Sequence, residues 1–288
     1  MKKDKEIWRI DTILKWTRQY FGEKGVENPR LDAEVLLSHV LQKDRLYLYV
    51  HFDQPLEEGE LTAFRAAVKK RATRLPVAYI IGSKEFMGLD FQVTSAVLIP
   101  RPDTEILVET ALDLLATVDS PEILDLGTGS GAICISMLVN LPAAQGTTVD
   151  ISPEALVVAR SNAENHQVTE RLTFCQGDLF GPVAGRKFHA ILSNPPYIPE
   201  ADIAQLTPEV QQEPNLALDG GKDGLNFYRR IIEEGRKYLA TGGFIAMEVG
   251  IHQAQLVVAM AEKTEFFKVS AIVKDYGGIE RVVVLTER

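Results

Sequence analysis

From residue 121 to the C-terminus short apolar runs alternate with helical patterns, and the last two runs are joined only by "DYGGIE" (275–280). That arrangement limits the possible folds more than any other feature of the chain. Strand-like runs stand at 122–126, 147–151, 171–175, 188–193, 243–249, 267–274 and 280–286. Helical patterns lie between them at 130–140, 152–165, 223–240 and 252–264. Strands separated by helices pair in parallel, with helices covering both faces of the sheet. Six residues cannot make such a crossover, so the last two strands form an antiparallel pair at one edge. The expected class is therefore α/β, with a seven-stranded sheet.

The first 75 residues differ. "TILKWTRQYFGEKG" spaces its apolar residues helically, with Gly22 and Gly25 as stops. "NPRLDAEVLLSHVLQ" offers Asn28 as a cap and Pro29 at the first helical position. "GELTAFRAAVKKRATRL" ends in Lys69, Lys70, Arg71 and Arg74, a cluster favourable at a helix C-terminus or usable as a contact surface. Residues 1–75 are expected to form a small all-helical domain, and 76–100, alternating around Gly88, a β-hairpin linker. Residues 101–288 make the α/β domain.

No run approaches the length of a membrane-spanning helix, and "MKKDKEIWRID" carries no signal-like apolar stretch. Cys134 and Cys175 sit in apolar contexts without metal-ligand spacing; free thiols, no metal and a cytoplasmic location are expected. Charge is uneven: 15 basic against 12 acidic residues in 1–80, but 16 against 28 in 81–288. So acidic a domain is a poor nonspecific binder of phosphate backbones.

"EILDLGTGSGAICISML" is a strand, a glycine turn with Gly127, Gly129 and Gly131, and a helix. Such a loop lets a ligand approach the backbone and delivers it to a helix N-terminus. With Ala132 it also satisfies the looser dinucleotide pattern G-x-G-x-x-A. Asp150, ending the next strand, suits ribose hydroxyls in either case. Asp125, two residues before Gly127, would sit poorly beside a pyrophosphate but suits the sulfonium and ammonium of S-adenosylmethionine. Asp178 ends the third strand, where it can take an adenine amino group or cap a turn.

The fourth strand ends in Asn194, Pro195, Pro196 and Tyr197. In a doubly wound sheet this end opens into the ligand crevice. The prolines stiffen the turn and keep their carbonyls as acceptors. The Asn194 oxygen and the Pro195 carbonyl can together grip a planar –NH2 group, with the Tyr197 ring against it. The reaction would then be an in-line methyl transfer aided by positioning.

"VLIPRPDTEILVE" (97–109), "LDLGTGSGAI" (124–133), "VDIS" (149–152), "SNPPYI" (193–198), "PEVQQEPNLALDGGKDGLNFYRRII" (208–232) and "GGFIAMEVG" (242–250) resemble the HemK-type peptide chain release factor glutamine methyltransferases. The similarity covers about residues 76–288; Asp103 stands where the family often has Glu. The resemblance implies a Rossmann-like class I methyltransferase sheet and S-adenosylmethionine as cofactor. It implies as substrate the glutamine of the Gly-Gly-Gln motif of class 1 release factors, methylated on its amide nitrogen. Asp125, the loop Gly127, Thr128, Gly129, Ser130 and Gly131, then Asp150, Ile151, Asp178, Leu179 and Asn194, would hold the cofactor. Asn194, Pro195, Pro196 and Tyr197 would hold the amide, and the helical domain would contact the release factor.

Arg101 can line the site entrance or pair with the acidic domain. Glu209 and Glu213, in the long segment 198–222, can cap turns or contact the partner, and Glu248 has no assigned role. An adenine-N6 nucleic-acid methyltransferase would use the same turn, but no direct nucleic-acid partner and no membrane are expected. A non-catalytic binding module and, further off, an NAD-dependent enzyme complete the alternatives.

Overall fold

The computed structural model describes residues 8–288; the basic N-terminal stretch 1–7 lies outside the described residues. The chain divides into two compact units. One runs to Gly82 and includes Thr207–Gln212; the other is Ser83–Leu206 with Glu213–Arg288.

The first unit contains α1 (Ile10–Glu23), α2 (Pro29–Leu41), α3 (Arg45–Val50), α4 (Glu58–Ala72) and α5 (Val77–Ile81). In α1 the buried residues Ile10, Ile13, Thr17 and Phe21 recur at steps of three and four, which puts them on one face. Ile10, Ile13 and Phe21 share a core with Leu36, Leu37, Phe64 and Val68. Helix α1 stops where Gly25 N–H bonds the Gly22 carbonyl and Val26 N–H bonds the Phe21 carbonyl, each at 3.0 Å. These are the two bonds of a Schellman stop, so Gly25 ends the helix and Gly22 lies within it. Pro29 opens α2, but the Asn28 side chain makes no capping hydrogen bond.

The basic cluster ending α4 splits in two. Buried Arg71 holds Asp32 at 2.7 Å and Glu209 at 2.6 Å, and Arg74 adds a second 2.6 Å bond to Glu209. Burial pushes the Glu209 carboxyl up, but the Arg74 and Arg71 hydrogen bonds outweigh it and hold it at about 2. Lys69 and Lys70 stay exposed. Glu209 therefore serves as an ion-pair anchor within this unit.

The second unit opens with an antiparallel hairpin, β1 (Ser83–Phe86) and β2 (Leu89–Gln92). The hairpin fills only the middle of the expected linker, because Val77–Ile81 is helical. Five residues are too few to display a 3.6-residue period. Helix α6 (Pro102–Leu115) follows, then β3 (Glu122–Leu126), α7 (Ala132–Asn140), β4 (Gln145–Asp150) and α8 (Pro153–Asn165). The remainder is β5 (Leu172–Gln176), β6 (Phe188–Ser193), α9 (Glu200–Ile203), α10 (Asn226–Gly235), β7 (Leu239–Glu248), α11 (Ala254–Lys263), β8 (Phe267–Lys274) and β9 (Glu280–Glu287).

The sheet order is β5-β4-β3-β6-β7-β9-β8. The first five strands are parallel. β9 inserts antiparallel between β7 and β8, leaving β8 at the edge. Strand residues alternate between two cores, as a period of two requires. Ile123, Ala190, Leu192 and Ala246 meet α6 and α7 on one face; Leu124, Ile191, Ile245 and Met247 meet α10 and α11 on the other. β7 begins four residues before its expected start, because Gly242 and Gly243 sit beside an irregularity in its pairing with β6 rather than in a turn. β3 lies between β4 and β6, so the strand order reverses there. The crevice outside the C-terminal strand ends at such a switch is where ligands bind.

Candidate active site

A cleft of about 280 Å³ opens at that switch point. Its walls come from four strand ends: Gly127 and Gly129 after β3, Asp150 and Ile151 at β4, Asp178 and Leu179 after β5, and Ser193 to Pro196 after β6. The glycine loop and the Asn-Pro-Pro turn thus face one space.

Gly127 (φ +77°) and Gly129 (φ +52°) occupy the left-handed region, and no atom lies within 4 Å of where a Cβ would stand on either. A side chain there would project into the open space a ligand needs. Thr128, Ser130 and Gly131 do not line the cleft. Thr128 and Ser130 are buried, and Gly131 packs against Ile135 and Ala159. Buried Asn162 fixes the loop: its Nδ2 donates to the Ser130 carbonyl at 2.9 Å and the Gln92 carbonyl at 3.0 Å, and its Oδ1 accepts from Gln92 N–H at 2.7 Å.

Asp150 accepts from Gly129 N–H and Ser152 N–H, both at 2.9 Å. Burial raises its pKa, and these loop amides pull it back. A carboxylate has about four lone-pair sites, so it can still take ribose hydroxyls. Asp125 is wholly buried beneath the loop rather than on the cleft surface. Its Oδ2 accepts from the Thr128 hydroxyl at 2.9 Å, while Oδ1 has no partner. Burial pushes Asp125 up to about 7, with the Thr128 bond opposing and the Asp150 charge reinforcing the rise. Asp178 lines the cleft but is already paired with Arg230 at 2.7 Å. Leu179 reaches the cleft from a positive φ of 46°, a conformation that costs a non-glycine residue energy.

On the opposite wall Asn194 Nδ2 donates to the Thr104 hydroxyl at 3.0 Å. That leaves Oδ1 as the amide's free acceptor. The Tyr197 hydroxyl bonds Glu248 Oε1 at 3.4 Å, and its carbonyl accepts from Gln253 Nε2 at 2.9 Å. Tyr197 does not line the cleft; its contacts brace the turn. Burial, then the charge of Glu248, raises its pKa. Arg101 is likewise off the cleft wall and pairs with buried Glu213. Glu213 also accepts from Ile99 N–H at 3.0 Å. Arg101 and Glu213 are therefore placed as structural partners of one another, next to Pro214 of the cleft wall.

The structure also brings to the site residues that the sequence gives no role there. Thr104 and Glu248 stand behind the Asn-Pro-Pro-Tyr turn, Asn162 behind the glycine loop, and Gly220 and Gly224 against Tyr197. Thr104 lay inside the quoted "RPDTE" motif, and only its contact with Asn194 reveals its use.

The open space over two glycines, a carboxylate at the β4 end and an orphaned buried acceptor at Asp125 match S-adenosylmethionine, which brings hydroxyls and positive charge but no phosphate. Asp150→Ala is expected to weaken cofactor binding about tenfold to a hundredfold, the loss of one or two charge-assisted hydrogen bonds. Turnover at saturating cofactor should change less than about threefold on the same scale. Titration calorimetry beside initial rates checks this, and equal losses in both would contradict the assignment.

Residues 12–82 match the family described as PrmC N-terminal domain, and residues 102–213 the methyltransferase small domain. The release factor glutamine methyltransferase of Geobacter sulfurreducens is 49% identical over 284 residues, 98% of either chain. That of Moorella thermoacetica is 42% identical over 278 residues, 94% of this chain and 98% of its own. Among solved structures, the hMettl16 catalytic domain in complex with MAT2A 3'UTR hairpin 6 matches with TM-score 0.58 at 14% identity, over 81% of this chain and 84% of that one. A ribosomal protein L11 methylase from Lactobacillus delbrueckii subsp. bulgaricus matches at 0.51 and 15% identity, over 68% and 84%. These distant structures share the fold alone. The near-full-length identity to the curated relatives goes further, and with the paired glycine loop and Asn-Pro-Pro-Tyr turn it makes this chain a member of the release factor glutamine methyltransferase family.

Proposed function

We propose that the protein transfers a methyl group from S-adenosylmethionine to the side-chain amide nitrogen of the glutamine in the Gly-Gly-Gln motif of class 1 peptide chain release factors. The observation that carries this reading is the single cleft shared by the glycine loop and the Asn194 turn, with Asn194 Nδ2 engaged and Oδ1 left to accept. The names of the full-length relatives support the substrate.

Bound S-adenosylmethionine supplies an electrophilic methyl carbon on a sulfonium whose bonding pair returns to sulfur. The chain's own residues do the rest by positioning. Asn194 Oδ1 and the Pro195 carbonyl accept the two amide N–H groups, draw density onto the nitrogen and aim its lone pair in line with the methyl. Holding two reactants so can supply about 7–11 kcal/mol of the barrier. The nitrogen gains the carbon and releases one proton to solvent water, so no covalent enzyme intermediate is needed. Two glycines before the glutamine let a loop reach into a narrow cleft.

The helical unit supplies a second release-factor contact, with exposed Trp16, Tyr49 and Phe52 as available apolar surface. Both cysteines are free, which suits a cytoplasmic enzyme acting on the translation machinery. No helix among the described residues is long and apolar enough to cross a membrane.

Mass spectrometry of a release factor co-expressed with this protein should show one added methyl on the glutamine of its Gly-Gly-Gln peptide. An unmodified peptide, or label transferred only to adenine-containing nucleic acid, would overturn the reading.

A further inference from the structure

Where the chain re-enters the second unit at Glu213, it runs along the cleft before reaching α10. Pro214, Leu216 and Ala217 line the cleft there, and Ala96, Val97 and Leu98 line it from the stretch ahead of α6. A single carboxylate joins the two stretches across 114 residues of sequence. Glu213, 5% exposed, accepts from Ile99 N–H at 3.0 Å through Oε2 and from the Arg101 guanidinium through Oε1. Ile99 adjoins Leu98 and Glu213 adjoins Pro214, so this tie joins wall to wall with no residue between. A carboxylate so buried is costly, and a charged partner with a backbone donor offsets that cost.

The other end of the strap is tied as well. Ile198 N–H donates to the Leu218 carbonyl at 3.0 Å, and Gly220 N–H to the Ile198 carbonyl at 2.9 Å. That pair fastens it next to the Asn-Pro-Pro-Tyr turn. Between the ties the chain makes one tight turn, Asn215–Ala217, with Ala217 N–H donating to the Pro214 carbonyl at 2.9 Å. These local bonds set the shape of the strap without Glu213. What the carboxylate adds is its position. Leu218 is buried beneath the strap, whereas Leu216, 55% exposed, lines the cleft.

We infer that Glu213 is a positioning residue that ties the Pro214–Ala217 strap to the Ala96–Leu98 stretch, closing the cleft wall and slowing the escape of bound S-adenosylmethionine. The inference rests on the proposed reading of this cleft as the place where the cofactor lies.

With both ends tied, the strap cannot lean away from the cleft. Without the carboxylate, Ile99 N–H and Arg101 lose their acceptor, and the strap hangs on the Ile198 tie alone. Apparent affinity then falls with the fraction of time the wall stands in place. An open wall does not hinder arrival, so the change falls on dissociation, as most changes in affinity do.

The test is a pulse-chase of labelled S-adenosylmethionine on the full chain, beside calorimetry. Glu213→Ala is expected to raise the dissociation rate about 10- to 100-fold, the scale of one lost charge-assisted hydrogen bond. Association should stay within about threefold. Glu213→Gln keeps an acceptor for Ile99 N–H and should dissociate at least about threefold more slowly than the alanine variant. Leu216→Ala leaves both ties intact and should raise dissociation about 3- to 10-fold by uncovering apolar ligand surface. Leu216 is exposed, so this variant serves should Glu213→Ala not fold. A defect of folding alone would lower the number of calorimetric binding sites and leave the dissociation rate of the remainder unchanged. Unchanged dissociation in Glu213→Ala or in Leu216→Ala, or a glutamine variant no better than alanine, would overturn the inference while release-factor methylation by the wild type stands. The expected dissociation rates with release factor left unmodified by the wild type would overturn the proposed function alone.

Discussion

Asn194→Ala is expected to lower turnover about 10²–10³-fold, the usual cost of removing one preorganised hydrogen-bonding group at a reacting centre. Alanine leaves the Pro195 carbonyl as the sole acceptor, so the substrate amide keeps one anchor and loses its fixed angle. A planar amide held at one point can rotate its lone pair away from the methyl carbon. The cofactor should feel little if, as proposed, it is held by Gly127, Gly129 and Asp150, which line the far wall of the cleft. Cofactor Kd is therefore expected within about threefold of wild type, equivalent to less than about 1 kcal/mol. Single-turnover rates with release factor, set beside calorimetric cofactor binding, separate the two effects. A cofactor affinity falling as far as the rate would show that Asn194 serves the cofactor instead. Thr104, freed of its donor, would also sit unpaired behind the turn, so part of the loss is the cost of leaving a buried hydroxyl unsatisfied.

How far such a site can be read from sequence depends on the range of the interactions that build it. The strand–glycine–helix unit at Asp125 to Ala132 is local: its spacing is visible in a dozen residues, and the structure follows it closely. Asn194 at the crevice was legible for the same reason, since strand alternation fixes which strand end it occupies. The supporting residues are held by contacts far apart in the chain. Asn194 meets Thr104 across 90 residues, and Tyr197 meets Glu248 across 51. Nothing in the flanking sequence marks Thr104 as a hydroxyl that will face an amide, or Glu248 as a carboxyl that will be buried. Asp125 shows the opposite limit. It stands on β3 two residues before Gly127 as the spacing implies, but it lies buried beneath the loop and off the cleft surface, a depth that spacing does not encode. Arg101 and Glu213 pair with each other across 112 residues of chain, and neither flanking sequence marks that contact.

Gly224→Ala is expected to destabilise the protein by about 2–5 kcal/mol and to lower turnover as well. Two costs add. Gly224 has φ +74°, where an L residue pays about 1–2 kcal/mol. A Cβ there would also lie well inside contact distance of the Tyr197 carbonyl oxygen and 2.8 Å from Gln253 Nε2. Those two atoms are hydrogen-bonded to each other at 2.9 Å, so the methyl group would wedge into the bond that holds the turn. The obstacle is backbone, not a side chain that can swing aside, and overpacking of this kind costs about 1–3 kcal/mol. Gly220 closes the same side of the turn, its missing Cβ pointing 2.8 Å from Tyr197 Cα, so the turn has no room to retreat. It would yield toward the cleft, carrying Asn194 and Pro195 off their positions. A shift of about 1 Å in a positioning group is enough to cost about a hundredfold in rate. Gly278→Ala provides the comparison: its φ is +84° with nothing within 4 Å of the added carbon, so it bears the backbone cost alone. Denaturant unfolding and turnover of the two variants side by side make the check. A Gly224 variant no less stable and no less active than the Gly278 variant would mean that the turn is held by its prolines and not by the close approach of a bare backbone.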